Sequence, residues 1–109
     1  MKPWEEISMG RAFEVFGTGE INEFVQASYR ELSLALREHS DFIELNKSEL
    51  IHVSNGITID KLPMIYGNDS IYDVVRRSFL EIFRRDSLVK QYFCLENADS
   101  NSLTIKVIR

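Results

Sequence analysis

The sequence predicts an α+β domain: an antiparallel sheet of about four to five strands in two hairpins, covered on one face by two to three amphipathic helices. Three observations carry this. Apolar residues recur at helical spacing over 21–36 and again over 71–83, β-branched and apolar residues gather around Asn55-Gly56, and apolar and polar residues alternate from Leu103 to Lys106. The 109 residues suit one core in one domain, 1–109, and the apolar (44%) and charged (28%) fractions are those of a globular chain rather than a disordered one.

Residues Pro3 to Phe16 read as a helix, with Pro at the first helical position, Glu5 and Glu6 in the first turn and Gly17 as the stop. Met9, Ala12, Phe13 and Phe16 form its apolar stripe; Gly10 weakens it, and a short strand over Ala12–Phe16 is the alternative. The next helix is clearer. Ile21, Phe24, Val25, Ser28, Leu32, Ala35 and Leu36 share one face, Glu23, Gln26, Arg30 and Arg37 the other, and Thr18 or Gly19 is available as its cap.

From Phe42 to Leu62 the pattern predicts a hairpin turning at Asn55-Gly56, the dipeptide suited to a type I′ turn. Val53 then faces Thr58 and His52 faces Ile59, on a side shared with Leu50 and Ile57. Ser70 and Asp73 form a capping-box pair before a third helix with Ile71, Val74, Val75, Phe79, Ile82 and Phe83 as its apolar face. Leu88–Glu96 and Leu103–Ile108 read as a closing hairpin across residues 97–101, the first of the two also being compatible with helix.

Met1 to Glu6 carry a lone lysine and no apolar run, so neither a signal peptide nor a spanning helix is expected and the cytosol is the expected location. The net charge of −4 is uneven: residues 1–60 hold 5 basic and 11 acidic side chains (net −6), residues 61–109 hold 8 and 6 (net +2). Such halves attract, within one chain or between copies.

Several residue groups invite a chemical reading. Gly17-Thr18-Gly19 before a helix resembles the start of a phosphate-binding loop, but Asn22 stands where the third glycine belongs, and a turn between helices explains both glycines. His39, His52 and Cys94 are too few and too scattered for a zinc site, so no metal and no cofactor is expected. His39 falls on the face of Ile21 and Leu32; Cys94, among Tyr92, Phe93 and Leu95, is expected in the core, which argues against a nucleophilic Cys–His pair. Arg76, Arg77, Arg84 and Arg85 are the basic concentration, yet Asp73, Arg77, Glu81 and Arg85 are spaced by four as a ladder of ion pairs, and the acidic chain opposes phosphate, so nucleic acid is not expected as a partner.

Leu62 to Gly67 is unusually apolar for a connection, and Met64, Ile65 and Tyr66 are candidates for an interface, together with Ala27 and Leu34 on the polar side of the second helix. The leading reading is therefore a non-catalytic interaction module that self-associates, a homodimer being favoured over larger assemblies. One rival is a small-molecule-binding domain or modest enzyme whose pocket between sheet and helices is lined by His52, Tyr66, Tyr72 and Cys94. Another is an acidic inhibitor or immunity-type partner that covers a basic surface.

Overall fold

Pro3 opens a first short helix, α1 (Pro3–Glu6), where its missing N–H costs nothing, and Glu5 and Glu6 lie in its first turn. The computed structural model describes residues 2–47, 51–53, 65–66 and 69–108. The single helix expected over 3–16 is interrupted. Ile7 leaves helical geometry (φ −97°, ψ 71°), Ser8 is extended, and α2 (Met9–Glu20) follows. The break accompanies complete burial of Ile7. Ala12 to Phe16 are helical rather than a strand, and the expected stop at Gly17 is present as a kink inside α2 (φ 73°, ψ 169°), a left-handed backbone that glycine adopts without a Cβ penalty.

Helix α3 (Glu23–Arg37) follows, and its cap corrects the sequence reading. Asn22, not Thr18 or Gly19, occupies the extended capping position, and its Oδ1 accepts hydrogen bonds from the backbone N–H groups of Phe24 (2.9 Å) and Val25 (3.0 Å). Thr18 and Gly19 belong to the last turn of α2, too early to reach those donors. The expected stripe is inside: Phe24, Val25, Ser28, Leu32 and Ala35 are buried, with Ile21 and Leu36 packed at its edge.

After α3 the chain turns through His39, which adopts a positive φ of 55° and is exposed, outside the helix rather than on its buried face. Strand β1 (Phe42–Asn46) then runs along the sheet. A short β2 (Ile51–Val53) pairs antiparallel with it, Leu45 opposite His52. The turn expected at Asn55-Gly56, with Thr58 and Ile59, falls outside the described residues. Two two-residue strands, β3 (Ile65–Tyr66) and β4 (Asp69–Ser70), pair antiparallel immediately before α4 (Ile71–Arg85). Val74, Val75, Phe79, Ile82 and Phe83 of α4 are buried, as their spacing requires.

Residues 88–96 divide between the two alternatives the sequence allowed. Val89–Tyr92 form a single helical turn, α5, and the chain becomes extended at Phe93. Strands β5 (Phe93–Ala98) and β6 (Ser102–Val107) make the expected closing hairpin, with a bulge between Leu95 and Asn97. Strand β6 pairs on its other side with β1, setting Ile43 opposite Ile105 and Leu45 opposite Leu103.

The result is an α+β architecture with β1, β6 and β5 as the main antiparallel strands and β2 beside β1. Ile43, Leu45, Phe93, Leu103, Ile105 and Val107 turn one face inward and join the buried residues of α2, α3 and α4 in one core. On the other face Phe42, Glu44, Cys94, Lys106 and Ile108 are exposed, the alternation expected of an antiparallel sheet open on one side. Among the described residues no helix is long and apolar enough to cross a membrane.

Candidate functional site

A buried carboxylate lies where α2, α3 and the end of α4 meet. Asp86, 1% exposed, accepts from Arg11 through Nη2 (2.8 Å to Oδ1) and Nε (3.1 Å to Oδ2), from the Tyr29 hydroxyl (2.7 Å to Oδ2) and from the Leu88 backbone N–H (3.0 Å to Oδ1). Burial pushes the Asp86 carboxyl up, but the hydrogen bonds from Arg11 and Tyr29 outweigh it and hold the group below its ordinary value. Tyr29, fully buried and facing that carboxylate, is pushed strongly upward by burial and by its bond to Asp86. With its acceptor sites filled, Asp86 is a clasp rather than a proton acceptor.

Sequence reasoning missed this cluster, although a signal existed. An aspartate directly after the last turn of a helix opposes the helix dipole and needs compensation from elsewhere. Tyr29 was likewise unread, lying beside the apolar stripe of α3 rather than within it.

Other polar groups are also committed to the fold. The Tyr72 hydroxyl donates to the Asp99 carbonyl (2.7 Å), Tyr92 donates to Glu6, and Asp99 Oδ1 accepts from the backbone N–H groups of Asn101 and Ser102, closing the β5–β6 turn. On α4, Glu81 forks to Arg84 (2.7 Å) and Arg85 (3.1 Å), which lower its carboxyl, the Arg84 hydrogen bond foremost. Arg85 also lies over the Phe16 ring at 4.7 Å, and Arg77 Nε donates to the Asp73 carbonyl. The Glu81–Arg85 pair is the last rung of the expected ladder.

The candidate residues are not brought together as the sequence suggested. Ala27 is only 6% exposed rather than open on a polar side of the helix. Leu34 is half-buried. Ile65 and Tyr66 take part in the β3–β4 pairing, opposite Ser70 and Asp69; Met64 and the side chains of Ile65, Tyr66 and His52 lie outside what is described. Tyr72 is buried between helices and sheet, whereas Cys94 is exposed, contrary to its expected burial. The strand begins at Phe93, so alternation turns Phe93 inward and Cys94 outward. Of these two pocket candidates, Tyr72 is fully buried and Cys94 lies on the exposed face of the sheet. Among the described residues no group of three His, Cys, Asp or Glu side chains is arranged to hold a metal ion.

A surface the sequence placed in the core is open instead. Met9 and Phe13, one helical turn apart on α2, are each 43% exposed while Ala12 and Phe16 of the same stripe are buried. Met9 continues into a shallow open cleft of about 170 Å³ between α2 and α3, lined also by Ser8, Arg30, Ser33, Leu34 and Arg37. Ser33 is fixed there by donating to the Trp4 carbonyl (2.8 Å). Arg30 and Arg37, two turns apart on α3, project from an apolar floor of Met9 and Leu34. Arg30 reaches only to 4.0 Å from Glu31, and Arg37 makes no ion pair among the described residues.

The glycine pair near α3 gains no support as an anion site, since Asn22 Oδ1 already occupies donors at that helix start. Comparison with known protein families, curated proteins and solved structures finds no significant match to this chain.

Proposed function

We propose that the protein is a non-catalytic interaction module that self-associates in the cytosol as a homodimer or larger symmetric assembly. The observation that carries this reading is the exposure, among the described residues, of four large apolar side chains: Met9 and Phe13 (43% each) on the helical layer, Phe42 (41%) and Ile108 (46%) on the sheet. Burying a large apolar side chain completely is worth about 1.5–3 kcal/mol, so each of these leaves on the order of 1 kcal/mol unrealised. Their sum falls near the low end of the roughly 4–15 kcal/mol that association costs in lost freedom, so polar contacts have to contribute as well. The commitment of Asp86, Tyr29 and Tyr72 to internal hydrogen bonds favours this reading over an enzyme, and the separation of Cys94 from Tyr72 weakens the pocket reading.

Light scattering at tens of micromolar protein tests the reading: a mass of two or more chains is expected, and a mass near one chain refutes it. Phe13→Asp and Leu34→Asp should lower that mass while leaving the fold intact, because a charge buried in a dry interface is unfavourable. A thermal-shift screen of metabolites addresses the rival. A ligand at a hundred times its Kd adds about 2.7 kcal/mol of stability, and such a hit would favour a small-molecule-binding domain.

A further inference from the structure

We propose that the contact between copies is head-to-tail: Phe42 of one copy enters the α2/α3 cleft of the next, and the adjacent Glu44 carboxylate faces Arg30 and Arg37 there. This rests on the self-association proposed above and specifies its geometry. The two surfaces lie on opposite layers of the fold, the cleft among the helices and Phe42 on the open face of the sheet, so one copy presents both at once.

Their chemistry is complementary. The cleft offers Met9 and Leu34 between two arginines; β1 offers Phe42, 41% exposed, with exposed Glu44 two residues on and therefore on the same side of the strand. Neither Arg37 nor Glu44 makes an ion pair among the described residues. Lys106, also exposed, stands opposite Phe42 in the β1–β6 pairing, while Thr104 stands opposite Glu44.

Size and symmetry narrow the occupant. At about 170 Å³ the cleft is below the roughly 300–1,000 Å³ of ligand pockets and fits one large side chain rather than a cofactor. Packing cleft on cleft across a two-fold axis would bring four arginines together, and like charges across an interface are strongly unfavourable. Packing sheet on sheet would leave Met9, Phe13 and the arginines uncovered. A head-to-tail contact satisfies both surfaces at once and generates a ring if the rotation closes, a filament if it does not.

Complementation between two variants tests this. Arg37→Glu disables the cleft and Phe42→Asp disables the inserting strand, and each alone should weaken association on the order of a hundredfold, giving a mass near one chain. Mixed in equal amounts, they should form a 1:1 dimer that grows no further, since one working cleft and one working strand remain. Wild-type association with a mixture that stays monomeric would overturn the head-to-tail contact and leave self-association standing; a monomeric wild type would remove both. Either variant associating like wild type would also overturn it. If Phe42→Asp fails to fold, charge exchange serves instead: Glu44→Arg should lower the mass and Glu44→Arg with Arg37→Glu in one chain should restore it, and absence of restoration counts against the contact.

Discussion

Two arginine sites on neighbouring helices, Arg11 and Arg37, behave in opposite ways. Arg11 reaches a carboxylate whose side chain is fully buried, and that carboxylate also accepts from Tyr29, so the guanidinium is tied into a junction of three helices. Arg37 stands on an exposed turn beside an apolar cleft and makes no ion pair among the described residues. Residue type is the same; desolvation and partners differ. A charge enclosed with its counter-charge holds the fold and is costly to disturb, whereas a charge left at the rim of an apolar surface contributes little to the fold and remains available to another molecule.

Breaking the first site should have the largest effect. Asp86→Ala removes the shared acceptor of Arg11, Tyr29 and the Leu88 N–H, leaving Arg11 only its exposed partner Glu14 (3.5 Å), so a loss of about 3 kcal/mol is expected, Arg11's partial exposure (27%) keeping it at the low end for buried pairs. A fall in the urea midpoint with an unchanged slope would register it. A variant as stable as the wild type would show that the clasp is energetically idle.

A smaller loss, about 1.5 kcal/mol, is expected for Tyr29→Phe, which removes a single hydrogen bond to a charged group. The pH dependence sharpens the assignment. Asp86 is held below its ordinary value of 3.8, so its stabilisation is present above that pH and is lost as pH falls through the lower folded value. Tyr29 is raised, so its contribution is complete below its ordinary value of 10.0 and is lost as pH climbs from there toward the folded value. Denaturation across pH should therefore show an acid loss that shrinks in Asp86→Ala and an alkaline loss that shrinks in Tyr29→Phe, with Tyr72, also raised by burial, retaining part of the latter.

The smallest effects on stability are expected at the second site. Phe13→Ala and Arg37→Ala should each shift unfolding by no more than about 0.5 kcal/mol, as surface substitutions do, while lowering the associated mass. A loss of 2 kcal/mol at either position would place that residue in the fold and undo the contrast.

Much of the fold was legible because it depends on local pattern. The stripes of α3 and α4, the alternation of Leu103, Ile105 and Val107, and the kink at Gly17 follow from side-chain period and backbone freedom, which operate within a few residues. The cap at Asn22 was within reach of the same reasoning, since asparagine outranks threonine and glycine at that position. The site was harder to see. Met9 and Phe13 share a spacing with Ala12 and Phe16, and nothing local says that the core reaches only half of that stripe.

The sequence by itself determined that α3 and α4 are helices and β6 a strand, and which of their sides turn inward, because burial of a periodic apolar face is written into each of those segments separately. Only the tertiary structure decided what those faces meet. It brought Arg11 to Asp86 across 75 residues, set Tyr29 against the same carboxylate, turned Cys94 outward and left Met9, Phe13 and Phe42 uncovered. Such outcomes depend on how many elements compete for the same core, and a finite core between one sheet face and its helices has room for only part of the apolar surface that the segments supply.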